Sequence, residues 1–114
     1  MFQKENRLLK SEDFGFVFKK PLKVAGESFD LYVRANKLSL ARLGLAVPKK
    51  AVKHAVTRNR IKRVFREYFR AEQSSLQGFD VVVVVKKPMA AIDTKNQAKV
   101  VAEHWQYMMG RLKP

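Results

Sequence analysis

Residues 49–70 carry nine Lys or Arg side chains and one acid, Glu67, which is a net +8 of the chain's formal +14. Cations at this density repel one another, and the usual counterpart is a polyanion: nucleic acid first, an anionic membrane surface second. A helix that is merely solvated carries Glu–Lys pairs at i, i+4, whereas this segment has only Glu67 to offer. Like-charge neighbours such as Lys62/Arg66 and Arg66/Arg70 weaken an isolated helix, and a bound polyanion would offset that cost. Placed on a helical wheel, residues 57–71 separate into two sides. Ile61, Val64, Phe65, Tyr68 and Ala71 share one side, with Phe69 at its margin. Asn59, Lys62, Arg63, Arg66 and Arg70 share the other, with Arg58 and Arg60 at the boundary. The cationic side rises about 1.5 Å per residue and suits phosphates repeating along a backbone. Asn59 adds an amide suited to a 2′-hydroxyl or a base edge. Lys49, Lys50, Lys53 and His54 extend the basic run on its N-terminal side.

Chemistry by the protein itself has no such support. The chain has no cysteine, which excludes disulfides, thiolate metal sites and a cysteine nucleophile. His54 and His104 are far apart and form no zinc-type pair. Glu12-Asp13, Asp30 and Asp80 do not make the converging carboxylates of a two-metal nuclease. No catalytic and no metal-ligating residue is therefore assigned.

The elements that must position the basic run follow from periodicity. Ser11-Glu12-Asp13 marks a helix start, with Phe14, Val17 and Phe18 at i, i+3, i+4, and Pro21 beyond its end. Residues 23–26 read as a weak strand, and 28–35 and 41–47 as alternating, half-buried strands. Asn36-Lys37 then predicts a hairpin between the last two, with Gly44 and Ala46 as small neighbours that leave an open groove floor beside Tyr32. Pro48 closes the third strand. The basic helix runs from about 51 or 57 to 73. Five consecutive valines at 81–85 suit a strand buried on both faces, as in parallel pairing. Thr94 with Gln97 reads as a capping box. After it Ala98, Val101, Ala102, Trp105, Met108, Met109 and Leu112 form one apolar stripe. The expected fold is α+β: a two-layer αβββαβα sandwich, one domain over 114 residues, with the basic helix in a β-α-β crossover. The longest aliphatic run is too short for a membrane span and no signal-peptide core opens the chain, so a cytoplasmic protein is expected.

Four ordered segments resemble the protein subunit of bacterial ribonuclease P. They are Arg7-Leu8-Leu9-Lys10-Ser11-Glu12-Asp13-Phe14 with Val17-Phe18; Arg42-Leu43-Gly44-Leu45-Ala46-Val47-Pro48-Lys49-Lys50; Arg58-Asn59-Arg60-Ile61-Lys62-Arg63 with Phe65-Arg66-Glu67-Tyr68-Phe69-Arg70; and Phe79-Asp80-Val81-Val82-Val83-Val84. The resemblance implies an accessory subunit that binds a large catalytic RNA, in a holoenzyme that removes the 5′ leader from precursor tRNA. It implies a left-handed β-α-β crossover, against the general right-handed rule. It implies that magnesium ions are held by the RNA and substrate, not by this chain, and that chemistry belongs to the RNA. The implied partners are the catalytic RNA and the precursor's leader, with no membrane and no required protein partner. Two surfaces carry over. Arg58, Asn59, Arg60, Lys62, Arg63 and Arg66, with Lys49 and Lys50, would face RNA near the cleavage site. Phe14, Phe18 and Tyr32 would line a cleft for the single-stranded leader. Periodicity alone reads Phe14 and Phe18 as core. Where many family members have Gly-Asn before the basic helix, this chain has Val52-Lys53-His54. A stand-alone structural RNA-binding protein of ribosomal type is the alternative that charge and composition leave open.

Overall fold

A strand of five valines, apolar on both faces, belongs at the centre of a sheet. The computed structural model, which describes residues 6–8 and 11–112, places it there. Among these residues the order is α1 (Ser11–Lys19), β1 (Leu22–Val24), β2 (Phe29–Ala35), β3 (Arg42–Ala46), α2 (Ala55–Glu72), β4 (Phe79–Val85) and α3 (Thr94–Leu112). Short 3-10 turns occupy Gln73–Leu76 and Lys87–Ala91. The sheet order is β1-β2-β4-β3, so β4 lies between β2, antiparallel to it, and β3, parallel to it. The parallel neighbours β3 and β4 are joined through α2, the expected β-α-β unit.

The expected hairpin between β2 and β3 is therefore corrected: the two strands do not pair, because β4 takes the place between them. Burying each valine of β4 contributes about 1.5–3 kcal/mol, a gain that an edge position would forfeit. Asn36 instead organises a wider loop. Its Oδ1 accepts from Leu38 N at 2.7 Å, and its backbone N donates to Gly78 O at 2.8 Å.

Alternation along β4 sorts the molecule into two sides. Val81, Val83 and Val85 join Leu31 and Val33 in the main core, with Ile61, Phe65 and Phe69 of α2 and Val101, Trp105, Met108 and Met109 of α3. The Phe29 and Phe65 rings meet edge to face at 4.9 Å. Val82 faces the other way and packs with Val17 of α1 and Leu8. Phe69 is fully buried, not marginal as its wheel position suggests, and Ala71 is exposed. The cause is α3: the Trp105 ring lies 6.4 Å from Phe69 and turns the buried arc of α2 toward it.

The capping box at Thr94 is also corrected. Asp93, one residue earlier, accepts from Asn96 N at 2.9 Å, and Thr94 is already inside the helix. A carboxylate there also meets the positive end of the helix dipole. Gln97 is buried, and its amide donates to Ile92 O at 2.9 Å and Met89 O at 3.3 Å. Among the described residues no helix is long and apolar enough to cross a membrane.

One buried charge fixes the start of the parallel pair. Asp80 is fully buried and accepts from Arg42 Nε at 2.8 Å, Arg42 Nη2 at 2.7 Å and Asn36 Nδ2 at 2.8 Å. Arg42 also reaches Asp13 of α1 at 3.9 Å. The hydrogen bonds from Arg42 to Asp80 raise the guanidinium's pKa; burial opposes this, and the charges of Asp80 and Asp13 add to it. Truncation at Asp80 would leave two Arg42 donors unmatched and take one of two acceptors from Asn36 Nδ2, and breaking a buried pair costs about 3–5 kcal/mol. Arg42 keeps 20% of its side chain exposed, so the lower end applies. Asp80→Ala is expected to lose about 3 kcal/mol in urea unfolding. A loss below about 1 kcal/mol would mean the pair does not hold the sheet end together.

Candidate nucleic-acid interface

The apolar stripe of α2 is anchored by the sheet, so its basic residues are displayed at the flanks and outer side. His54 sits at the helix N-terminus without a capping hydrogen bond, and it is exposed together with Lys49, Lys50 and Lys53. Arg58 turns back along this loop: Nη1 donates to Lys53 O at 2.7 Å and Val52 O at 3.0 Å. Its fixed side chain shapes the loop that presents those cations. Asn59, Arg60, Arg63 and Arg70 are exposed, while Lys62 and Arg66 are half-buried. Arg63 Nε meets Glu67 Oε1 at 3.0 Å, an exposed i, i+4 pair that contributes little. The single acid of the run thus engages one arginine and leaves the others uncompensated by it.

Asn59, Arg63, Arg66, Glu67 and Arg70 line an open hollow of about 510 Å³. Arg66 is the deepest cation of this group. Burial lowers its pKa, and the like charge of Arg7 lowers it further. Arg7 is brought there by the edge of β3, where it bridges to Leu43 in parallel register. Leu8 N donates to Leu43 O at 2.9 Å and Asn6 Nδ2 to Ala41 O at 2.7 Å, which ties this segment down. Arg66 therefore lies on the flank of α2 that turns toward Arg7 and β3. Arg7 was not identified from the sequence as part of this surface, because its segment has no periodicity. Only the long-range bridge reveals it.

The aromatic residues gather on the other side of the sheet. Register aligns Lys23, Tyr32, Val82 and Gly44 in one row across the four strands. Alpha-helix α1 lies over this row. The rings of Phe18 and Tyr32 meet edge to face at 4.9 Å, and Lys23 Nζ stands 5.4 Å from the Tyr32 centroid. Phe18 is 43% exposed and Tyr32 is half-buried, so both offer ring surface to solvent. Gly44 is not the open floor expected beside Tyr32. Val82 stands between them, and a Cβ at Gly44 would come within 2.8 Å of the Phe14 ring. Glycine is needed there because Phe14 occupies the space. Phe14 is a half-buried wedge that seats α1, and Phe18 with Tyr32 forms the open part.

The next row on this face holds Asp30, Val84 and Ala46. Here Lys86 Nζ contacts Asp30 Oδ1 at 2.9 Å and donates to Gly26 O at 2.8 Å. Burial of Asp30 raises its pKa, but hydrogen bonds from Lys86 and Gly26 N and the charges of Lys86 and Lys23 outweigh this and leave it lowered. Beside it Pro48, Lys50, Ala51, Val84, Val85, Lys86 and Lys87 line a second open hollow of about 460 Å³. Lys23 thus stands at the aromatic pair and Lys86 at the next row, and no local pattern marks either, since both come there only through strand register. Among the described residues no group of three His, Asp or Glu side chains could hold a metal ion. His104 stands apart, its Nε2 3.3 Å from Ala25 O and its ring against Phe29 at 4.7 Å.

The family model described as Ribonuclease P matches residues 2–109. The ribonuclease P protein component of Aliivibrio fischeri is 44% identical over 104 residues, 91% of this chain and 89% of that protein. The corresponding protein of Proteus mirabilis is 41% identical over 105 residues, 92% and 88% of the two chains. Among solved structures, a Staphylococcus aureus RNase P protein mutant with defective mRNA degradation activity superposes with a TM-score of 0.85. It is 31% identical and the match covers 92% of this chain and 89% of that one.

Each phosphate neutralised contributes about 0.7–0.9 to the slope of log K against log salt. Replacing both Arg63 and Arg66 by alanine is expected to flatten the salt slope of catalytic-RNA binding by about 1.4–1.8. Filter binding from low to moderate salt reads this directly. An unchanged slope would remove these two arginines from the phosphate contacts.

Proposed function

The chain belongs to the ribonuclease P protein family, as the protein subunit of an endoribonuclease ribonucleoprotein that processes tRNA, and on that premise we propose a division of labour between its two surfaces. The cationic strip of α2, with Arg7, neutralises phosphates of RNA close to the cleavage site. The Phe18–Tyr32 pair receives an unpaired base of the precursor's 5′ leader. The lysines at its border, Lys23 and Lys86 with Lys50 and Lys87 farther along, accompany the leader backbone. The observation that carries this reading is the half-exposed edge-to-face pair itself, 4.9 Å between centroids, with Lys23 Nζ 5.4 Å from the Tyr32 ring. An aromatic platform accepts any base, and stacking contributes about 1–3 kcal/mol per base. A leader of varied sequence calls for that kind of tolerance.

The chain's residues bind and orient; they do not transfer protons in this proposal. Asp30 and Asp80, the buried carboxylates, are committed to Lys86 and Arg42. Magnesium, held by the RNA and substrate phosphates, would supply the activated water and stabilise the leaving oxygen. The strip favours that arrangement indirectly. By lowering repulsion among crowded phosphates, it lets substrate and catalytic RNA approach with less metal ion. Holding the leader adds an anchor upstream of the scissile bond and fixes its direction. In this proposal the protein acts in the cytoplasm.

The test uses assembled holoenzyme and two precursors that differ only in leader length, one long and one of a single nucleotide. Wild type is expected to bind the long-leader precursor more tightly. Tyr32→Ala should reduce that preference by about 5-fold or more, the equivalent of about 1 kcal/mol. Affinity for the short-leader precursor should not change. Equal loss for both precursors, or none, would contradict leader binding at Tyr32. Bare catalytic RNA at low magnesium gives the companion measurement: the chain should be inert alone and should restore cleavage when added. Cleavage by the chain alone would move the active site into the protein.

A further inference from the structure

The three phenylalanines of α1 alternate along the sequence, so they cannot share one helix face. Phe14 and Phe18, four residues apart, turn toward Gly44 and Tyr32. Phe16 turns to the other flank and is 37% exposed. Its ring carries the Arg34 guanidinium, 3.9 Å from the ring centroid. Arg34 Nη1 also donates to Phe16 O at 2.6 Å, which fixes the stack against the helix. Arg34 shares a row with Asp80, yet Asp80 takes its charged hydrogen bonds from Arg42. Among the described residues Arg34 has no ion pair.

A second observation lies beside the stack. Gly15 stands inside a nine-residue helix, and a Cβ there would meet nothing within 4 Å. Glycine weakens a helix interior, and no packing within the protein asks for it at this position. A bare stretch of backbone is useful when something outside comes close. Exposed Lys19 and Lys20 follow at the end of the helix. A flat ring, a fixed and uncompensated guanidinium, a bare helix surface and two lysines together match an unpaired nucleotide, its base stacked and its phosphate met by cations.

We propose that this outer flank of α1 is a third RNA contact, where one unpaired nucleotide of the catalytic RNA stacks on the Phe16–Arg34 pair and its backbone passes over Gly15. The choice of the catalytic RNA rests on the reading that the leader lies on the opposite flank, against Phe18 and Tyr32. A helix with its side chains is about 10 Å across, so a strand in the cleft would have to fold over α1 to reach Phe16. The RNA subunit needs no such detour.

The test measures binding of the catalytic RNA alone to the full chain. Phe16→Ala is expected to weaken it by about 5- to 150-fold, the range that loss of one stacked base gives. Phe16→Trp should bind like wild type. Gly15→Leu has room in the free protein, so its melting temperature should not fall, but it should weaken RNA binding. In assembled holoenzyme, Phe16→Ala should keep the wild-type ratio of affinities for long-leader and one-nucleotide-leader precursors. If Phe16→Ala and Gly15→Leu both bind the catalytic RNA within about 2-fold of wild type, well under the loss of one stacked base, the proposal fails. If Phe16→Ala leaves that binding intact and lowers only the long-to-short ratio, the leader occupies this flank and the assignment to the catalytic RNA is overturned. A Tyr32→Ala holoenzyme with a wild-type ratio would overturn the leader reading by itself, apart from the Phe16 result.

Discussion

Burial of β4 on both faces is the constraint from which the rest of the structure follows. Its valines are covered by α2 and α3 on one side and by α1 on the other. That requirement puts β4 between β2 and β3 and forces the connection from β3 to β4 to be a parallel crossover. The crossover element is α2. The basic helix is thus held in place by its ends as well as by its apolar stripe. Alternation along β4 also decides where the aromatic residues go. Val82 and Val84 lie on the same side as Tyr32 and Gly44, so α1 and the open ring pair share that face.

Charge is distributed with the same economy. Asp80 and Asp30 lie in the sheet and are taken up by Arg42 and Lys86. Glu67 reaches Arg63. The first two pairings tie strands and turns together, and among the described residues no acid pairs with Arg60, Lys62, Arg66 or Arg70. Arg66 is disfavoured in its charged form by burial first and then by the nearby charge of Arg7. Like charges held together by backbone geometry form a surface complementary to phosphate, since the fold has already supplied the energy that crowds them.

Local pattern made much of this legible, and its limits have a physical cause. Periodicity reports which face of an element is apolar, so α2, β4 and the stripe of α3 could be read from Ile61 and Phe65, from the valines, and from Val101, Trp105 and Met108. It does not report neighbours. The insertion of β4 between β2 and β3 could not be read from Asn36-Lys37, whose turn chemistry serves a wider loop as well as a hairpin. Phe69 stands at the margin of the wheel because a wheel does not include α3. Gly44 was read as empty space, though it is small to admit Phe14. Asp93 outcompeted Thr94 as a cap because a carboxylate one residue earlier serves the same donors. Arg7, Lys23 and Lys86 join their sites through strand pairing alone, and no local motif points to them.

The two surfaces to which the proposed function assigns RNA and leader are structurally separate, one along α2 and one beneath α1 on the other face of the sheet. Separate surfaces should contribute independently. The most direct measurement is a double-mutant cycle of Arg66→Ala and Tyr32→Ala on holoenzyme affinity for a long-leader precursor tRNA. Two surfaces acting separately predict losses that add within about 0.5 kcal/mol. A coupling energy above about 1 kcal/mol would show that the strip and the aromatic pair act as one site, and would contradict the division of labour.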